Sequence, residues 1–199
     1  MSRINELKQE ITEKSLQAFH AGLFAGTSGN MSAYLPDEQL MLITPTCVRY
    51  EMMKPGQIVE MRTDGTVLSD GKPSSEWRLH AELYKAHPEI TAVFHTHSPY
   101  ATAFAVCHMP IPATLIEAYF FLGGEIPCAR YATPGTPEVG IYAAEVIGDK
   151  GGVLLANHGV VAVGKNLSEA YLRAEYIEDA AKIYTFAKQV GIPVELPHL

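Results

Sequence analysis

Ile90–Pro99, Ile-Thr-Ala-Val-Phe-His-Thr-His-Ser-Pro, is the stretch on which the reading of this chain turns. Ile90, Ala92, Val93 and Phe94 predict a buried strand, in which successive side chains point to opposite faces. Residues two apart share a face, so His95 and His97 point one way and Thr96 the other. A second apolar run, Val153-Leu154-Leu155-Ala156, ends in Asn157-His158-Gly159. With the two strands close in one sheet, three neutral imidazoles converge on a divalent cation and leave one position open. Three protein ligands plus an exchangeable site is the usual plan of a catalytic zinc. A His-x-His pair alone is more often packing than chemistry. His158, at the mouth of its own strand, and Glu76 shift the reading to a metal site.

Around that stretch, 199 residues at 47% hydrophobic can bury a sizeable core, expected as one domain over 1–199. The formal net charge of −7 argues against sequence-independent nucleic-acid binding, which neutralises phosphates with Lys and Arg. A phosphorylated small molecule stays compatible, because local amides and a metal can hold it. No apolar run approaches the roughly 20 residues of a membrane span, so no membrane partner is expected. Cys47, Cys107 and Cys128 are odd in number and widely spaced, which fits reduced thiols in a cytoplasm.

Upstream, Ile4 to Gly22 predicts a helix, with Leu7, Ile11 and Ala18 close to one face. Gly26-Thr27-Ser28-Gly29-Asn30 follows as a small polar loop whose amides can form an anion-binding concavity. Leu40-Met41-Leu42-Ile43 is a short strand, and Thr63-Asp64-Gly65 turns a hairpin between Ile58–Met61 and Thr66–Ser69. Pro73-Ser74-Ser75-Glu76-Trp77 opens a helix to about His87, with Ser74 or Ser75 as the N-cap. Downstream, Pro99–Val106 predicts a helix, Ile126–Tyr131 a strand and Thr136–Ile147 a helix. Val160–Val163 predicts a strand and Ser168–Val190 a helix. Ile111–Gly124 has no clear period and carries Glu117 and Tyr119 in apolar company, where an ionisable group needs a reason. Interleaved helices and strands point to a layered α/β (α+β) domain. The Ile116–Leu122 run is too rich in large side chains to lie bare on a monomer, so a homo-oligomer is expected.

Together these residues suggest a reaction. The histidines supply a Lewis acid, Glu76 a carboxylate and the small-residue loops phosphate contacts. A metal stabilises charge on a carbonyl oxygen while a nearby carboxylate takes a proton from the adjacent carbon, which gives an enediolate. His20, His80, His87, His108 and His198 lack this context and read as surface, core or helix residues.

In order and spacing, several runs resemble the class II aldolase/adducin family over nearly the whole chain. They are Gly26–Asn30, Leu42–Thr46, Pro73–Glu76, His95-Thr96-His97, Ile126–Ala129, Tyr131-Ala132-Thr133 and Asn157-His158-Gly159. The resemblance implies a central, largely antiparallel sheet flanked by helices, assembled as a homotetramer with active sites between subunits. It implies zinc on His95, His97 and His158, with Glu76 able to ligate at rest and to act as acid/base with substrate bound. It places the phosphate of a sugar substrate against Gly29, Asn30, Thr46, Cys47, Ser74 and Ser75. Glu76 and the Ser-Ser-Glu-Trp-Arg run are similar to the fuculose-phosphate aldolase branch, which implies cleavage of a ketose 1-phosphate to dihydroxyacetone phosphate and an aldehyde. Cys47 stands where the aldolases usually have glycine. Ile116 replaces the tyrosine that protonates the aldehyde oxygen, which leaves Glu117 and Tyr119 as candidates. Dehydration, 4-epimerisation, decarboxylation and a non-catalytic adducin-like head are the alternatives that the resemblance carries.

Overall fold

The double-histidine strand lies at the centre of the sheet. In the computed structural model, which describes residues 2–197, it is β4 (Ala92–Thr96). His198 falls outside those residues. β4 pairs antiparallel with β1 (Asn30–Leu35) on one side and β7 (Gly159–Gly164) on the other. Outward from β1 lie β2 (Leu40–Ile43) and β3 (Val59–Met61); outward from β7 lie β6 (Gly152–Leu155) and β5 (Cys128–Ala129). Among the described residues this makes one seven-stranded sheet, ordered β3-β2-β1-β4-β7-β6-β5. Its pairings are antiparallel except β5–β6, which is parallel, so the sheet is mixed. No helix among the described residues is long and apolar enough to cross a membrane.

Strand alternation sorts side chains into two cores. Met31, Phe94, Leu154 and Ala162 face α1 (Arg3–His20), α3 (Pro99–Val106), α4 (Ile116–Leu122) and α6 (Leu167–Val190). Val93, Val153 and Val161 face α2 (Trp77–Ala86) and α5 (Pro137–Ile147). Phe94 is fully buried, which contributes about 1.5–3 kcal/mol. His95 has the parity of Val93 and therefore lies on the α2 side of β4. Helix α2 approaches that face directly after Glu76.

Several boundaries differ from those the sequence suggests. Helix α2 starts at Trp77 with Glu76 in the N-cap position, and neither Ser74 nor Ser75 caps it by side chain. The reason is non-local. Pro73 bridges to Pro45 and the Ser74 N–H donates to the Thr44 carbonyl, which holds this segment extended. The Ser74 hydroxyl instead accepts from the Glu76 N–H at 3.3 Å. The hairpin turn at Asp64-Gly65 forms, but its second arm is no regular strand: it meets β3 through the Met61–Val67 bridge, the Leu68 N–H on the Glu60 carbonyl and the Glu60 N–H on the Ser69 hydroxyl. The Ile126–Tyr131 strand shrinks to β5, because Ile126 pairs with Ile111 instead and Pro127 offers no N–H. Ile116–Leu122 is helix α4.

Candidate active site

Glu76, His95, His97 and His158 come together at the end of β4, each offering a ligand atom within 4.8 Å of all the others. The three imidazole centroids form a near-regular triangle, with separations of 4.9, 4.8 and 5.1 Å. His95 and His97 share a face, as their spacing requires. His158 arrives by a different route from the one the sequence suggests. β6 does not neighbour β4; β7 lies between them, and Ala156-Asn157-His158 is the tight turn that joins β6 to β7. Asn157 takes a left-handed conformation there, φ 55°, which asparagine tolerates better than most residues. Gly159 then runs so close to β4 that a Cβ would lie 2.4 Å from the Thr96 carbonyl oxygen and 3.0 Å from the His97 ring. Only glycine lets the turn lay His158 against the other two.

The donor atoms call for a cation. His95 Nδ1 lies 2.9 Å from the Val160 carbonyl oxygen, which can only accept, so Nδ1 carries the proton. In the neutral ring Nε2 is then a bare lone pair. It lies 3.0 Å from Glu76 Oε2 and 3.0 Å from His97 Nε2. Lone pairs facing one another at that distance repel unless a positive charge sits among them. His158 Nε2 stands 3.0 Å from Glu76 Oε1, yet that buried oxygen has no aligned donor. Ligands about 2.0–2.1 Å from a tetrahedral ion are roughly 3.3 Å apart, close to the spacings here. A backbone carbonyl on the far nitrogen is also how metal-ligating imidazoles are usually oriented. The residues fit a divalent metal.

Charge states agree with that use. Burial alone would raise the Glu76 carboxyl, but the imidazoles of His95 and His158 outweigh it and hold the group well below the usual carboxylate range. Burial, followed by the neighbouring His95 and His158, pushes His97 down to about 4, which leaves its ring neutral. An ionised carboxylate therefore stands beside the neutral ring of His97 and 3.0 Å from a ring nitrogen of His95 and of His158, placed to share a cation with them.

Among known proteins, the sequence model of the class II aldolase and adducin N-terminal domain matches residues 9–185. The chain belongs to that family. It is 37% identical over 191 residues to the 5-deoxy-D-ribulose 1-phosphate aldolase of Bacillus thuringiensis serovar kurstaki, covering 96% of this chain and 89% of that protein. It is 35% identical over 190 residues to the L-fuculose phosphate aldolase of Escherichia coli K12, covering 96% and 87%. A solved L-fuculose 1-phosphate aldolase superposes with a TM-score of 0.93 at 37% identity, covering 99% of this chain and 92% of that one.

The other residues singled out for this class II aldolase-family site divide into two groups. Gly29 and Asn30 lead into β1, Thr46 and Cys47 follow β2, and Ser74 and Ser75 directly precede Glu76. The Thr46 N–H donates to the Lys72 carbonyl and the Ser74 N–H to the Thr44 carbonyl, which ties the two loops together. Gly29 has φ 85°, and a Cβ there would overlap Phe24 and lie 2.9 Å from the His95 carbonyl oxygen. The hydroxyl of buried Tyr50 donates to the Gly29 carbonyl at 2.7 Å and fixes this loop. Cys47 has φ 60°, a left-handed conformation that favours glycine. Asn30 is buried, and its amide donates to Glu76 Oε2 at 3.1 Å.

Glu117 and Tyr119 are not brought to the cluster within one chain. The Tyr119 hydroxyl donates to the Leu196 carbonyl at 3.0 Å. The end of α4 is held by the Gly151 N–H on the Leu122 carbonyl, at the start of β6, whereas His158 follows the end of that strand.

The sequence reading missed His80. It is fully buried in the first turns of α2 and hydrogen-bonded to Asn30 and Ser32. Burial, then the nearby His95, pushes it down to about 3. Unfolded, the ring protonates near 6.5, so below that pH the unfolded chain binds a proton that the folded chain refuses. Stability is full above pH 6.5 and is lost as pH falls toward 3. From pH 7.5 to 5 the His80 contribution amounts to about 2 kcal/mol. Urea midpoints of wild type and His80→Gln at the two pH values measure it; equal pH dependence in both would place the protons elsewhere.

Proposed function

We propose that this protein cleaves a ketose 1-phosphate to dihydroxyacetone phosphate and an aldehyde, with Glu76 as the proton-transferring group. The observation that carries this reading is the ionised Glu76 carboxylate packed against the three imidazoles of His95, His97 and His158 at one end of β4. A divalent ion, zinc by its donor set, held by His95, His97 and His158 would supply Lewis-acid stabilisation of the developing oxyanion. In the cleavage direction the hydroxyl beside the scissile bond passes its proton to Glu117 or Tyr119, the two candidates for the aldehyde side, and the carbon–carbon bond breaks. Its electron pair becomes the enediolate of the phosphorylated fragment. Glu76 returns a proton to that carbon and, in condensation, removes it.

Gly29, Asn30, Thr46, Cys47, Ser74 and Ser75 hold the phosphate, on the segment that enters β1 and on the two tied loops, with the Asn30 side chain also within reach of Glu76. The aldolase names of the relatives support the substrate class. Assay of the zinc-loaded protein against a panel of ketose 1-phosphates tests the reading. Release of dihydroxyacetone phosphate from a fuculose- or 5-deoxyribulose-type substrate is expected; no release from any member would overturn it.

The aldehyde side is completed by a second copy of this chain. On α4, Phe120 is 74% exposed and Ile116 and Phe121 are also open to solvent, an apolar surface that association would cover. Glu117 and Tyr119, remote from the cluster of their own chain, reach a neighbour's site in such an assembly. Light scattering at assay concentration is expected to give a multiple of the 21.7 kDa chain, a tetramer by family resemblance. A single-chain mass would remove both residues from the reaction.

A further inference from the structure

Behind Glu76, four polar side chains form an unbroken buried line. Asn30 and Ser32 are two apart on β1, and His80 and Tyr84 are four apart on α2, continuing the spacing from Glu76. Two strand residues advance about 6.8 Å and four helical residues about 6 Å, so the two rows stay in step and interleave. Asn30 Nδ2 donates to Glu76 Oε2 at 3.1 Å. Asn30 Oδ1 meets His80 Nε2, His80 Nδ1 lies 2.6 Å from Ser32 Oγ, and Ser32 Oγ lies 2.6 Å from the Tyr84 hydroxyl. Ser32 and His80 have no solvent exposure; Asn30 has 3% and Tyr84 4%.

The chemistry of each group fixes the direction of the line. The carboxylate accepts, so Asn30 turns its NH2 toward Glu76 and its carbonyl toward His80. That carbonyl accepts, so His80 carries its proton on Nε2 and leaves Nδ1 bare. Nδ1 accepts from the Ser32 hydroxyl, whose oxygen accepts from Tyr84. All four donors point toward Glu76. Between α2 and the sheet the neighbours are Leu79, Leu83, Val93 and Met41, so apolar side chains would fill this space without the cost of burying polar groups. Packing alone gives no reason for a polar line that ends on the carboxylate.

We propose that His80 is a positioning residue for Glu76, locking the Asn30 amide so that the carboxylate keeps one oxygen engaged and the other open for proton transfer. This rests on Glu76 being the proton-transferring group, and it extends the machinery to His80, Ser32 and Tyr84. The test uses zinc-loaded full-length protein, exchange of the dihydroxyacetone phosphate α-proton with deuterated water, and equilibrium binding of the same ligand.

His80→Phe is expected to keep one metal per chain and binding within about threefold, while exchange falls at least tenfold. His80→Gln, which restores a donor toward Asn30, recovers most of the rate. In a Glu76→Gln background, His80→Phe adds no further loss. In the metal-free wild type, 15N NMR is expected to show His80 protonated at Nε2 alone. Wild-type exchange in His80→Phe, an equal fractional loss in both backgrounds, or an Nδ1–H tautomer would each overturn the proposal. If His80→Phe does not fold, Ser32→Ala carries the test, with a several-fold loss of exchange and mixed His80 tautomers expected; wild-type exchange with an unmixed tautomer overturns it. Glu76→Gln alone exchanging at the wild-type rate defeats the underlying assignment of the base. That result comes from a different variant, so the two failures are separable.

Discussion

His97→Ala is expected to lose the bound metal and, with it, nearly all turnover. His97 is half-buried at the end of β4, with its ring nitrogen 3.0 Å from that of His95. Its removal leaves two imidazoles and a carboxylate, and the neighbouring lone pairs lose a partner in sharing the cation. Lewis-acid stabilisation is worth several kcal/mol, and each 1.36 kcal/mol is tenfold in rate. The rate should therefore fall by roughly a thousandfold or more. Folding should survive, because the two apolar cores on either side of the sheet do not depend on the ion. Metal content per chain, with circular dichroism alongside, decides the matter. His20→Ala, at the end of α1 and outside the cluster, serves as the control that keeps its metal. Wild-type stoichiometry in His97→Ala would remove His97 from the ligand set.

How much of this was legible in the sequence depends on whether local spacing or distant pairing decides a feature. Strand parity alone puts His95 and His97 on one face, and the apolar run before them buries the strand. Glu76 stands out because it opens an amphipathic helix after Pro73-Ser74-Ser75. The place of β7 between β4 and β6 is not legible, since Val153–Leu155 and Val160–Val163 are equally apolar. The turn at Asn157-His158 then decides which strand pairs with β4. Ser74 and Ser75 read as helix caps because nothing nearby in sequence reveals the Pro45–Pro73 bridge that delays the helix. Ile116–Leu122 is a short apolar run, and periodicity cannot separate helix from strand at that length.

His80 is the instructive miss. A histidine on the inner face of a helix is usually a satisfied core residue, and only its environment separates it from one that serves a site. The available signal was a coincidence of two periods: Glu76, His80 and Tyr84 at helical spacing, and Asn30 and Ser32 at strand spacing. Neither means anything until β1 and α2 are known to pack face to face. Tyr50 is similar, since its hydroxyl contacts with Ser28 and Gly29 cross more than twenty residues of chain.

The second large effect concerns the base. Glu76→Gln keeps the three imidazoles and the phosphate loops, so metal content and affinity for dihydroxyacetone phosphate should hold close to wild type. What it removes is a group that can take and return a proton. General acid–base contributions are typically about 10²–10⁴-fold, so turnover should fall by at least roughly a hundredfold. The substituted side chain would still face Asn30, but amide against amide, and the line of donors from Tyr84 would end on a group that cannot be protonated at working pH. Loss of rate with retained binding separates this outcome from a damaged site.

The most direct test is the exchange of the dihydroxyacetone phosphate α-proton with deuterated water, without any aldehyde present, in zinc-loaded wild type and Glu76→Gln. That half-reaction needs only the metal, the phosphate loops and the base, so it is independent of Glu117, Tyr119 and the neighbouring chain's contribution. Wild-type protein should exchange the proton readily and zinc-loaded Glu76→Gln at least a hundredfold more slowly; exchange by the variant at the wild-type rate would contradict the account.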